Sequence, residues 1–159
     1  MLFSLVKCYI VYILSLLSAH KDPYENIYCV VKGYKDIILH PPTDLPWLRH
    51  KLCQQAVYQK DNDGKLVLQS LVNEPPIPWI AVDPLRPNLD RYPEYANSHP
   101  IKLRLNAGDV LYLPSLWYHH LQQSHGCIAV NYWYDMEFDG KFNYYNFVKD
   151  LVSLLNTKH

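Results

Sequence analysis

The chain has 159 residues, 49% hydrophobic and 14% aromatic, and its fifteen Lys and Arg balance fifteen Asp and Glu. That length fits one domain of about 150 residues with enough apolar content to form a core, which excludes intrinsic disorder. Zero net charge, with neither a basic helix nor an acidic tail, argues against direct reading of nucleic acid.

The four cysteines, Cys8, Cys29, Cys53 and Cys127, form no C-x-x-C pair, and two lie in strand-like runs, so they read as reduced thiols rather than a disulfide framework or a zinc site. In chain order, residues 1–18 (MLFSLVKCYIVYILSLLS) are an apolar run broken by Lys7. This run imitates a signal peptide or short anchor, yet a membrane span needs about 20 apolar residues. We read it as an atypical or replaced start to the domain, with a membrane or secretory role as the alternative.

His20-Lys21-Asp22 follows. In an extended strand residues two apart share a face, so His20 and Asp22 point into one cavity while Lys21 points away. One imidazole and one carboxylate make half of a site for a divalent metal such as iron, and a second imidazole would complete a two-histidine, one-carboxylate triad with open positions. The bland reading is a chance trio. Next, Ile27 to Val31 and Asp36 to His40 read as strands around the turn Lys32-Gly33-Tyr34-Lys35, a hairpin ended by Pro41-Pro42. Lys35 is placed either to aim its ammonium into the same cavity, where it suits an anionic co-substrate, or to sit solvated in the turn.

Residues 41–100 are proline-rich, which forbids a long helix and predicts surface loop with short strands, either a structural insertion or a holder for a substrate chain beside the metal. His40, His50, His99 and His125 have no spacing partner and read as surface or packing residues. Then Val110 to Pro114, Trp117 to Leu121 and Cys127 to Tyr134 alternate as strands. With Trp117, His119 and Leu121 on the inner face, His120 points outward, so only one of the two histidines can be a ligand. Cys127, Ala129, Asn131 and Trp133 then share a face whose small and polar residues leave room for a cavity. After Asp139-Gly140 the period becomes helical. Tyr144, Phe147, Val148, Leu151, Leu154 and Leu155 form an apolar stripe opposite Lys149 and Asp150, predicting a terminal helix over 140–159 that packs on the core or on another copy.

Taken together, His20-Lys21-Asp22, Asn26, the Lys32-Gly33-Tyr34-Lys35 turn, Gly108 to Pro114, Trp117 to His120 and Val130 to Tyr134 resemble the Jumonji C (JmjC) oxygenases. The resemblance runs from Ala19 to the C-terminus. It implies a mainly β fold, a double-stranded β-helix of the jelly-roll or cupin-like kind over 19–139, lacking its first strand or strands. By the same resemblance Fe(II) is bound by His20, Asp22 and His119. The co-substrate 2-oxoglutarate is paired at its distal carboxylate with Lys35, and Asn26 and Asn131 line its pocket. Leu17 stands where relatives usually offer a hydroxyl.

The function implied is dioxygenase chemistry: hydroxylation of a peptidyl side chain, lysine above all, in a protein substrate such as a GTP-binding protein. An endopeptidase activity and a homodimer through C-terminal helices come attached to the resemblance. So does a cytoplasmic or nuclear location. The rival from another class is a truncated module that keeps the metal motif and an interaction surface without turning over.

Overall fold

The computed structural model describes residues 5–11 and 16–156, with side chains over 19–155. Runs rich in β-branched and aromatic residues form strands β1 (Leu5–Val11), β2 (Leu16–His20), β3 (Tyr24–Lys32) and β4 (Tyr34–His40). The proline-rich connection carries β5 (His50–Cys53), β6 (Ala56–Lys60), β7 (Leu66–Ser70) and β8 (Ile77–Ile80), with short 3-10 turns at Pro42–Trp47 and Pro93–Asn97. Strands β9 (Ile101–Asn106), β10 (Val110–Leu113), β11 (Tyr118–Gln123) and β12 (Cys127–Asp135) follow, and helix α1 (Gly140–Asn156) ends the chain.

Two four-stranded antiparallel sheets result, in the orders β1-β12-β3-β10 and β2-β11-β4-β9. From β1 to β4 and from β9 to β12, each strand lies in the opposite sheet from the one before it, which is the jelly-roll route. The turn at Gly33, expected to close a hairpin, is therefore a corner between sheets: β4 pairs with β11 and β9, not with β3. Gly33 adopts φ 77°, and an added Cβ would come within 2.5 Å of Ser124 Oγ, so the corner needs glycine for both its conformation and its space. The two corners are tied together, since Tyr34 N donates to Ser124 Oγ and Ser124 N donates to Tyr34 O.

Alternation sorts the side chains into two cores. Between the sheets lie Tyr28, Val30, Ile37, Leu39, Leu105, Leu113, Leu121, Cys127 and Ala129. On the outer face of the second sheet, Ala19, Tyr118 and Leu116 pack against Leu45, Leu48, Ile80 and Val82 of the connection and Tyr145 of α1. Each fully buried Leu, Ile or Val contributes about 1.5–3 kcal/mol, so the connection is a structural wall as well as a loop.

The bare edge expected from a missing first strand is filled beside β12. Leu5–Val11 pairs along that strand from Leu5↔Trp133 to Val11↔Cys127, its Tyr-Ile-Val content suiting a pleated edge. The side chain of Leu17, expected to matter for lacking a hydroxyl, lies outside the described residues. No helix among the described residues is long and apolar enough to cross a membrane.

Two further expectations change. Helix α1 presents Tyr145, Phe142, Val148 and Val152 to the core, while Tyr144, Phe147, Leu151, Leu154 and Leu155 of the expected stripe are exposed. His40, read as a surface or packing residue, is buried, and beyond packing its Nδ1 lies 3.0 Å from Asp44 Oδ2, with Tyr95 Oη 3.2 Å from its Nε2. Asp44 also accepts from the backbone and ring nitrogens of His99, fastening both ends of the connection to β4.

Candidate metal centre

Strand β2 meets β11 with a bulge: His119 faces His20 and Leu121 faces Leu17, so a step of two residues on β11 answers a step of three on β2. A bulge re-aims the residue beside it. Here it brings the two imidazoles together, ring centroids 4.3 Å apart and tilted at 56°. Asp22, just past the strand, places Oδ2 4.0 Å from His20 Nε2 and 3.7 Å from His119 Nε2. One ligand atom from each of the three residues falls within 4.8 Å of the others, the one such group among the described residues.

His119 Nδ1 lies 3.0 Å from the Trp117 carbonyl, so it carries the proton and leaves the Nε2 lone pair facing Asp22 and His20. Burial, and then the neighbouring His20, push the His119 pKa down to about 4, which keeps the imidazole neutral and able to ligate near pH 7. The donor set fits a divalent metal with positions left open, as two imidazoles and one carboxylate on one face do.

The segments carrying the ligands are fastened to each other. Asp22 O accepts from Leu116 N at 2.9 Å, and Leu116 itself sits at φ 66°, a left-handed conformation costly for leucine at about 1–3 kcal/mol. Glu25 accepts from Ser115 N, Ser115 Oγ and Tyr112 Oη at 3.1, 2.8 and 2.6 Å. Burial works against the Glu25 charge, but these bonds outweigh it and hold the carboxyl below its usual range. Trp79, from β8, stacks parallel to His20 with centroids 6.1 Å apart, so the connection reaches the metal centre.

Deeper between the sheets, Lys35 is buried at 4% exposure and donates to Tyr28 Oη, its ammonium 4.8 Å above the Tyr28 ring. Burial pulls its pKa down, opposed by the nearby Cys127. The solvated-turn alternative for Lys35 is thereby removed. Asn26 and Asn131 are buried on β3 and β12, and the Oδ1 of each has no hydrogen-bond partner among the described residues. His120 does point away from the cavity, but into protein rather than solvent: it is buried under the connection, and neither ring nitrogen has a hydrogen-bond partner among the described residues.

Tyr28, which accepts from Lys35, Trp79, which stacks on His20, and Gln123, which lies opposite Lys35 in register, were not singled out from sequence. Tyr28 and Gln123 follow from the alternation that sorts the neighbouring strand residues, Asn26-x-Tyr28 and His119-x-Leu121-x-Gln123. Trp79 carried no local signal.

On its outer side His20 opens onto a cavity of about 980 Å³ lined by Trp79, Tyr118, Tyr145, Lys21, Arg49 and Lys149 among others. The Lys21 ammonium lies 5.0 Å above the Tyr145 ring.

Two facing sheets in jelly-roll order define a cupin-type fold, with a His-Asp-His cluster at one end whose donor set could hold a metal. The family model described as "Cupin-like domain" matches residues 7–140, and the chain belongs to that family, within its JmjC branch. It is 47% identical over 137 residues to the human bifunctional peptidase and (3S)-lysyl hydroxylase JMJD7, covering 85% of this chain and 43% of that protein. It is 41% identical over 154 residues to JmjC domain-containing protein E of Dictyostelium discoideum, covering 86% and 44%. It is also 40% identical over 152 residues to lysine-specific demethylase JMJ32 of Arabidopsis thaliana, covering 87% and 44%. The chain thus spans less than half the length of these relatives.

Proposed function

We propose that this chain is the metal-bearing part of an Fe(II)- and 2-oxoglutarate-dependent oxygenase that hydroxylates a peptidyl side chain, most specifically lysine, in a protein substrate. The observation that carries this is the clustering of His20, Asp22 and His119 at one end of the second sheet, with the buried ammonium of Lys35 farther along the same sheet. When bound, iron supplies the oxidising chemistry that a set of protein side chains lacks.

The residues present provide placement. His20, Asp22 and His119 hold one side of the metal, with the Trp117 carbonyl fixing the His119 tautomer. Lys35 neutralises the far carboxylate of 2-oxoglutarate, and Asn26 and Asn131 offer their amides along its length. The outer cavity beside His20 gives a peptide side chain a route to the metal, walled by Trp79 and Tyr118. The outward stripe of α1, Tyr144, Phe147, Leu151, Leu154 and Leu155, supports pairing with a second copy, as expected for this family.

The test is 2-oxoglutarate consumption by the purified chain with Fe(II), with and without a lysine-bearing peptide from a GTP-binding protein. Coupled succinate release and a peptide gaining one oxygen atom support the reading. Tight metal binding with no 2-oxoglutarate consumption favours the non-catalytic interaction module instead.

A further inference from the structure

Of the three residues in the cluster, Asp22 is the one that no strand holds. His20 closes β2 and His119 lies in β11, facing each other in register, whereas Asp22 falls in the corner between β2 and β3. Its backbone is fastened from across the chain instead, by Leu116 N donating to Asp22 O at 2.9 Å. Leu116 belongs to a four-residue turn from Pro114 to Trp117, in which Trp117 N donates to Pro114 O at 3.4 Å. The third position of that turn takes φ 66°, a conformation that normally goes to glycine, and Leu116 is the one non-glycine residue with positive φ among the described residues. A leucine stays there only if its surroundings hold it.

Glu25 grips this turn. The ladder between β3 and β10 ends at the pair Asn26↔Leu113, and the next residue after Leu113 is Pro114, which has no N–H to continue it. From that point the Glu25 carboxylate takes over, accepting from Ser115 N, Ser115 Oγ and Tyr112 Oη. Bonds to an ionised carboxylate are the strong kind. The Leu116 side chain, buried in the outer core, holds the turn from its other side. Glu25 is three residues after Asp22, so the contacts close a ring: Glu25 holds Ser115, and Leu116 holds Asp22.

We propose that Glu25 is a positioning residue for the metal centre: by clamping the Ser115-Leu116 turn in its strained conformation, it keeps the Asp22 carboxylate where a divalent metal shared with His20 and His119 needs it. The inference rests on the metal-centre reading above and adds a residue whose own oxygens are engaged with Ser115 and Tyr112 rather than with the cluster. A ligand on a loose corner has to be ordered when the metal arrives, which lowers affinity, and a clamp made beforehand removes that cost.

The experiment titrates Co(II) into the whole chain by calorimetry and records the visible absorption spectrum, which follows ligand geometry. Glu25→Ala should weaken Co(II) about tenfold, the low end of the loss when a partner that orients a ligand is removed, and should change the spectrum although all three ligands remain. Glu25→Gln keeps an oxygen acceptor for Ser115 N and should recover most of that loss. Tyr112→Phe with Ser115→Ala takes two of the three donors away without touching Glu25 or the buried core, so it runs the same test with less risk to the fold. It should weaken Co(II) in the same direction by a smaller factor. In an Asp22→Ala background Glu25→Ala should cost nothing further, because its effect passes through Asp22, whereas a merely structural role costs the same in both backgrounds.

Unchanged Co(II) affinity and spectrum in Glu25→Ala or in the Tyr112→Phe, Ser115→Ala pair, or a Glu25→Ala loss that is equal with and without Asp22, overturns the inference and leaves the metal reading standing. A wild-type chain that binds no Co(II) overturns both.

Discussion

His119 and His120 are adjacent on β11 and do opposite things, because alternation sends one between the sheets and the other under the connection. His119→Ala removes a ligand atom and should abolish tight metal binding by calorimetry. His120→Leu should leave metal affinity intact and keep or raise the melting temperature, since two buried ring nitrogens without hydrogen-bond partners among the described residues are replaced by apolar volume. The reverse dependence would put the strand register one residue out. For Lys35→Ala the expected loss is in 2-oxoglutarate affinity, about ten- to a hundredfold, from a charge-assisted bond of about 1.5–3 kcal/mol, with metal affinity held. At this scale the sequence was most legible where period two operates: His20, Asp22, His119, Lys35 and Asn131 follow from alternation or a turn position. What it hid was the fate of the outer face. Pointing away from the cavity does not mean pointing into water when a long connection covers that side of the sheet.

Strands β3 and β4 were readable from composition, but their relation was not, because a glycine turn that closes a hairpin and one that crosses between sheets share the same local residues. The partners that decide, β12 for β3 and β11 for β4, lie about a hundred residues later in the chain. Helix α1 misled in a similar way, since it is apolar on two sides and periodicity does not rank them. The structure does: Tyr145 is buried, with its hydroxyl 2.9 Å from that of Tyr118, whereas Leu154 and Leu155 are exposed. Tyr145→Ala should therefore cost about 3 kcal/mol in denaturant unfolding, from the lost ring and an unpaired Tyr118 hydroxyl. Leu151→Glu with Leu155→Glu should barely move stability, and sedimentation of that variant reads whether the outer stripe holds a second copy. Within the connection, Asp44→Ala deserts His40 Nδ1 and both nitrogens of His99, and an expected loss of about 3 kcal/mol would mark this carboxylate as the anchor of the whole segment.

Across the whole molecule, the histidines shifted by their surroundings all move in one direction. His40, His50, His119 and His120 each have the imidazole pKa lowered, and burial is the leading cause in all four. The opposing influences, Asp44 on His40 and Asp83 on His120, do not reverse the shift. The sign then follows from proton counting: below about pH 6.5 the unfolded chain takes up protons that the folded chain refuses, so acid favours unfolding. Stability should be flat above that pH and fall as pH drops from about 6.5 toward 4, the value to which His119 is pushed. Glu25 and Asp36, both held below the usual carboxylate range, continue the decline at lower pH. A metal held by these imidazoles would add to the slope, because protons and metal compete for the same nitrogens. Thermal melts of the metal-free chain at pH 7.5 and 5.5 should show a clear drop at the lower pH, with a larger drop when metal is present at a fixed concentration. A metal-free chain that melts at the same temperature at both values would mean that its buried imidazoles protonate in place, and that the packing over the outer face of the second sheet is looser than the burial of His40, Tyr118 and His120 requires.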